Sequence, residues 1–239
     1  MESLVETLYG KVRRDIVECE LIPGQSFSEA EMGRRYEASR TPVREACRRL
    51  EHEGLIEITP FRGYKIAVLS VAEFQDVQEM QLIFEPEAAA LAAQRASEAE
   101  LEEMQRLATC EYRVGDKESY RAFIETNYRL HCLIAQSTRN RRLFEVVSNI
   151  HVRLMRFFYL GLPLDSYGPT LQAEHISQVA AIRSRDEQQA RREATDHIRK
   201  ALDRSAHSLM NAIRFGEIVF DANQTIQGKI SSENRLNQR

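Results

Sequence analysis

The stretch "SRTPVREACRRLEHEGLIEI", residues 39–58, changes its period partway along. Up to His52 the apolar positions Val43, Ala46, Cys47 and Leu50 recur at helical spacing, while Arg40, Arg44 and Arg48, four apart, share another face. Pro42 falls in the first turn, where backbone N–H groups have no intrahelical acceptor and a proline costs little. Ser39 or Thr41 can cap the same end. Gly54 stops the helix, and "LIEITP" then alternates as a half-buried strand does. Residues 34–49 hold six arginines against Glu37 and Glu45, so 6 − 2 gives +4 locally in a chain of net charge −3. Alone, such a run is an ordinary solvated helix face. Its neighbours decide otherwise.

Upstream, Leu4, Val5, Leu8, Val12, Ile16 and Val17 follow helical spacing, and the pattern breaks at Pro23-Gly24. Ser28 and Glu31 have the spacing of a capping box, so a second helix is expected from Ser28 towards Tyr36. Downstream, "LIEITP" and "GYKIAVL" read as two strands joined by the tip "PFRG". Three helices and a hairpin make a winged helix-turn-helix domain over residues 1–69. In such a domain the helix from about Ser39 to His52 enters the major groove of double-stranded DNA. Arginine forks on that helix match guanine edges and phosphates. Arg62 and Gly63 at the wing tip can approach the neighbouring backbone or minor groove, and Arg34 and Arg35 are candidate phosphate partners.

Beyond Leu69 strand signals vanish. Ser70 with Glu73 and Ser97 with Glu100 repeat the capping-box spacing, and helices are expected near 71–95, 98–115, 118–137, 140–160, 171–184 and 187–219. The fold class is therefore mainly α: a winged head, then an all-α bundle over 70–220, then a polar, aperiodic tail over 221–239 read as disordered. A length of 239 residues suits two domains. No apolar run approaches the ~20 residues that cross a bilayer, and early acids with no cleavable apolar core in "MESLVETLYGKVRRDIVE" lead us to expect no signal peptide. Four cysteines without CxxC spacing fit reduced thiols in the cytoplasm. No Ser-His-Asp order, phosphate-binding glycine loop or paired-carboxylate motif is present.

Asn127 and His131, four apart, point from one helix face, and His175 and His197 come from two other helices. Three imidazoles and an oxygen suit a divalent metal, zinc or nickel, with positions left for water or ligand. By spacing alone a hydrogen-bonded or exposed histidine is the commoner case, no HxxxH pair occurs, and His52, His151 and His207 are read in that ordinary way.

"LIPGQSFSEAEMGRRYEASRTPVREACRRLEHEGLIEITPFRGYKI" resembles the DNA-binding domain of the GntR family of bacterial transcription regulators. The resemblance implies base or phosphate contacts from Arg40, Thr41 and Arg44, with Arg62 and Gly63 at the wing; Ala30 stands where some relatives carry a further arginine. "FEPEAAALAAQRA", "NYRLHCLIAQSTRN" and "EHISQVAAIRSRDEQQARREATDHI" resemble the ligand-binding (FCD-type) domain of the FadR-like branch. That implies a divalent metal at Asn127, His131, His175 and His197, with Asn127 where the pattern most often has Asp. Gln81 replaces an arginine that frequently faces the effector pocket, and Arg153 and Arg156 are candidates for the missing charge. The expected protein is a homodimeric repressor that binds operator DNA and senses a small metabolite, an organic acid beside the metal. Two rivals stand beside it: a metal-dependent enzyme, and a ligand-independent dimeric DNA-binding protein.

Overall fold

The structure is a computed structural model that describes residues 3–59, 63–113, 116–161, 168–214, 218–220 and 226–229. The chain divides into two compact units, one of residues up to Phe74 with those from Ile213 on, the other Gln75–Ala212.

The first unit begins with α1 (Leu4–Val17), capped by Ser3, whose hydroxyl accepts from the Glu6 N–H. It continues through β1 (Ser26–Phe27), α2 (Glu29–Arg35), α3 (Arg40–His52), β2 (Ile56–Thr59) and β3 (Gly63–Ile66). The expected capping box forms: Ser28 accepts from Glu31 N–H, and the Glu31 carboxylate accepts from Ser28 N–H at 2.7 Å. The turn from α2 to α3 is tight. Glu37 takes a left-handed φ of 53°, and Ala38 N–H donates to the Gly33 carbonyl at 2.9 Å. A Cβ on Gly33 would stand 2.6 Å from the Ala38 oxygen, so glycine is what lets this turn close. Val43, Ala46, Cys47 and Leu50 of α3 are buried, as are Leu8, Val12, Ile16 and Val17 of α1, which packs against α3. Ser39 holds the N-cap position of α3 but makes no side-chain capping bond, contrary to its expected role.

The hairpin is antiparallel, with Ile56 opposite Ile66 and Thr59 opposite Gly63. A third strand escaped the sequence reading: β1 pairs with β3, Phe27 opposite Tyr64. Two residues are too few to show a period. Gly63 has φ +90°, and a Cβ there would meet the Phe27 carbonyl oxygen at 2.7 Å, so the wing closes onto the start of α2 only with glycine. The tail differs from the expectation of disorder at Ile226–Lys229, which forms β5 and pairs antiparallel with β4 (Ile218–Phe220). The rest of the segment 221–239 lies outside the described residues.

The second unit holds α4 (Val71–Arg95), α5 (Glu98–Ala108), α6 (Lys117–Ser137), α7 (Arg141–Gly161), α8 (Gly168–Arg183) and α9 (Glu187–Arg214), the last running on into the segment from Ile213. Their core is rich in alanine: Ala89, Ala92, Ala93, Ala190 and Ala194 are fully buried beside Leu101, Met104, Leu130 and Val179. Small side chains let helices approach closely while larger ones fill between them. The Ser97–Glu100 capping box forms, and Asp116 caps α6. α5 ends at Ala108, well short of the expected 115, and α8 begins at Gly168 rather than 171. Among the described residues no helix is long and apolar enough to cross a membrane.

Candidate functional site

On the head, Arg34, Arg40, Thr41 and Arg44 are all exposed, and the buried face of α3 leaves its basic face to solvent. Arg44 is already held: Nε donates to Glu29 Oε1 at 2.8 Å and a terminal nitrogen donates to Oε2 at 3.0 Å. The Tyr64 hydroxyl donates to the same Oε1 at 3.0 Å. Arg35 lies 3.5 Å from Asp15 of α1, so part of its charge is engaged within the fold. Arg49 turns away altogether, pairing with Glu6 at 2.6 Å and covering the Tyr9 ring. Arg62 lies outside the described residues. Gly63 has the steric role given above, independent of any contact with DNA.

In the helical unit, His131 of α6, His175 of α8 and His197 of α9 converge: one ligand nitrogen of each lies within 4.8 Å of the others. All three are buried. Two carboxylates hold these rings from behind. Glu85 of α4 places Oε2 2.7 Å from His131 Nδ1, at an angle outside that of a hydrogen bond, and Oε1 2.7 Å from His151 Nε2. Glu174 of α8 meets His197 Nδ1 at 3.1 Å and takes both terminal nitrogens of Arg204, at 2.7 and 2.6 Å. The hydrogen bond of Glu174 to His197 Nδ1 fixes that ring's orientation and turns its Nε2 outward, while Glu85 faces His131 as a close charge. His175 Nε2 is buried with no hydrogen-bond partner. A buried nitrogen lone pair without a donor is costly, and a metal ion would satisfy it. The residues fit such an ion.

The electrostatics agree. Burial lowers the pKa of His131, overcoming the opposing pull of Glu85. Burial, reinforced by His197 and His131, holds His175 well below the ordinary imidazole value, and burial lowers His197 despite Glu174. Neutral imidazole is the ligating form. Burial pushes Glu174 up, but hydrogen bonds from His197 and Arg204 more than reverse this and hold it at about 2. Glu85, likewise pushed up by burial, is held well below the carboxylate range by His151 and His131.

A cavity opens beside the histidines, and Gln81, Asn127, His131, His151, His197 and Arg204 contribute its polar wall. Asn127, one turn before His131, is half-buried there, and Gln81 is buried. The cavity's arginine is Arg204, not Arg153. Arg153 lies outside that lining and donates from Nε to Asn149 Oδ1 at 3.1 Å, while Arg156 is packed into the interior. His151 is hydrogen-bonded, as expected, but its partner is Glu85, which ties it to the histidine cluster, and its ring stacks on His131 at 4.2 Å. One signal pointed there: His151 falls on the stripe Val147, Ile150, Leu154, Met155, all buried, where a polar residue needs a partner. His52 is exposed as expected, and the His207 side chain lies outside the described residues.

Residues 4–66 match the family model described as bacterial regulatory proteins, gntR family, and residues 76–200 match the FCD domain. The HTH-type transcriptional repressor RspR of Escherichia coli K12 is 27% identical over 195 residues, covering 82% of this chain and 86% of that protein. The Nta operon transcriptional regulator of Aminobacter aminovorans is 28% identical over 194 residues, covering 80% and 89%. Among solved structures, E. coli McbR/YncC aligns with a TM-score of 0.69 at 17% identity, over 87% of this chain and 100% of that one, a likeness of fold. The named relatives are regulators of transcription rather than enzymes.

Proposed function

The chain belongs to the GntR family of bacterial regulatory proteins and carries an FCD domain behind its DNA-binding head, and on that premise we propose that it is a homodimeric, metal-dependent repressor. As a member it is a DNA-binding transcription regulator. In our reading, α3 enters the major groove with Arg40, Thr41 and Arg44 against bases and phosphates, the wing with Arg62 lies alongside, and Arg34 and Arg35 meet the flanking backbone. Two heads read a two-fold operator, which requires a symmetric dimer. The helical unit supplies it; Met80 and Ile83, one turn apart and exposed on α4, belong to a face suited to a second copy. Repression is carried over from RspR.

The observation that carries the metal reading is the convergence of three buried histidines with a partnerless His175 Nε2. His131, His175 and His197 hold one divalent ion, zinc or nickel, and Asn127 adds a neutral amide oxygen. When bound, the ion supplies a positive charge that draws a small carboxylate into the cavity. The chain's own residues do the rest: Glu85 and Glu174 orient the rings, and Gln81 offers a neutral amide to the ligand. Arg204, already forked onto Glu174, lends little free charge. Ligand binding shifts the heads between DNA-competent and incompetent arrangements by its differential affinity for them.

The test is elemental analysis of untagged protein for wild type, His175→Ala and Asn127→Asp, before and after incubation with zinc, nickel and manganese. We expect about one ion per chain in wild type, little in His175→Ala, and tighter retention in Asn127→Asp, whose carboxylate adds charge. Equal, near-zero metal in all three would leave a metal-free effector pocket.

A further inference from the structure

Glu29 is an acid on the DNA-facing side of a head that must approach a polyanion. A solvated carboxylate there would weaken binding to any sequence. Its surroundings show what it does instead. It is the first residue of α2, fixed by the capping box of Ser28 and Glu31 immediately around it. Its oxygens take Nε and one terminal nitrogen of Arg44, and the Tyr64 hydroxyl from β3 braces Oε1. Tyr64 is in turn stacked on Phe27, 5.4 Å between ring centroids and 13° between planes. Three elements, α2, α3 and β3, thus hold one guanidinium, whose side chain remains 57% exposed.

The choice of nitrogens matters. A guanidinium has five N–H donors, one on Nε and two on each terminal nitrogen. Glu29 occupies the side edge, Nε with one terminal nitrogen. The end edge, with a donor on each terminal nitrogen, stays open, and that pair matches the O6 and N7 acceptors of guanine. The fork is also relieved of much rotamer freedom before DNA arrives, which lowers the entropic cost of a bidentate contact. Pairing with Glu29 leaves little net charge to attract phosphate.

We propose that Glu29, braced by Tyr64, is the specificity-determining positioning residue of the head: it presents the end edge of Arg44 to a guanine in the major groove. The inference rests on reading α3 as the recognition helix.

The experiment takes an operator selected by the wild-type full-length chain. It measures affinity for that operator, for its single-base-pair variants, and for random DNA, using wild type, Arg44→Ala, Glu29→Gln, Glu29→Asp and Tyr64→Phe, with thermal unfolding as a check on folding. Arg44→Ala should erase preference at one G·C pair in each half-site. Glu29→Gln should lose about fivefold or more of the preference at that same pair while binding random DNA at least as tightly, since a bidentate contact discriminates by ~1–3 kcal/mol. Glu29→Asp is decisive: it keeps the charge but withdraws the carboxylate by one methylene, so it should lose preference at that pair too. Tyr64→Phe should fall between. If Glu29→Gln tightens operator and random DNA by the same factor, and Glu29→Asp behaves as wild type, Glu29 is only a repelling charge and the proposal fails. If Arg44→Ala changes preference at no base pair, the recognition-helix reading beneath it fails first, and the proposal with it.

Discussion

His175 sits in demanding surroundings: it is buried, its Nε2 has no partner, and imidazoles crowd it from two sides. His131, His175 and His197 all have pKa values lowered by burial, so the folded chain resists protons that the unfolded chain accepts from about pH 6.5 downward. The unfolded state therefore binds more protons, and stability must fall as pH drops below that value. The slope reaches about 1.4 kcal/mol per pH unit for each histidine kept neutral. Glu174, depressed to about 2, acts in the same direction at lower pH, its share present above about 4.5 and lost towards 2. Denaturant midpoints measured with a chelator at about pH 7.5 and about pH 5.5 should show this loss, and His175→Gln should show a shallower one; a flat profile would remove the buried, neutral cluster from the account. For the metal-bound form proposed above, the same depression predicts that protons compete for the ring nitrogens only below the ordinary imidazole range. On the head, Arg34→Ala should weaken all DNA sequences about equally and lower the salt dependence by about one unit, as loss of a phosphate contact does; a change of base preference would contradict that role.

Elements were legible wherever period and capping agreed. The helix at 71–95 lies where the Ser70–Glu73 capping spacing put it, and the helix at 117–137 and the hairpin at 56–66 lie close to where apolar period put them. Spacing could not foresee β1, whose two residues become a strand only when Tyr64 lies beside Phe27. Nor could it pair Glu85 with His131 and His151, brought together from α4, α6 and α7 by the packing of the bundle. Arg204 was missed for the same reason: its role follows from Glu174, 30 residues earlier on another helix. Two element-scale tests follow. Ser97→Ala removes a capping box and should cost about 1 kcal/mol in chemical unfolding, with metal content unchanged. Gly33→Ala puts a methyl 2.6 Å from the Ala38 backbone oxygen, so the turn must open; it should cost ~1–3 kcal/mol and weaken DNA binding by displacing α3. Unchanged affinity there would mean that α3 is placed by something other than this turn.

At the scale of the whole molecule, a chain of net charge −3 can meet a polyanion because its charge is unevenly distributed, with a formal +4 over residues 34–49 that Asp15, Glu29 and Glu6 partly offset. In the proposed dimer a second copy would double that contact and impose two-fold symmetry on the site read. Residues 71–239 alone should therefore still dimerise at micromolar concentration, and Ile83→Glu in the full chain should weaken the dimer; a monomeric fragment beside a dimeric full chain would place the interface elsewhere. The most direct test of the account is selection from a random DNA pool by the purified wild-type chain and by an Arg40→Ala, Arg44→Ala double variant. Wild type should enrich a single two-fold symmetric sequence with G·C pairs at matching positions of both halves, and the double variant should retain DNA without enriching it. A double variant that enriches the same sequence as wild type would contradict the claim that α3 reads the operator.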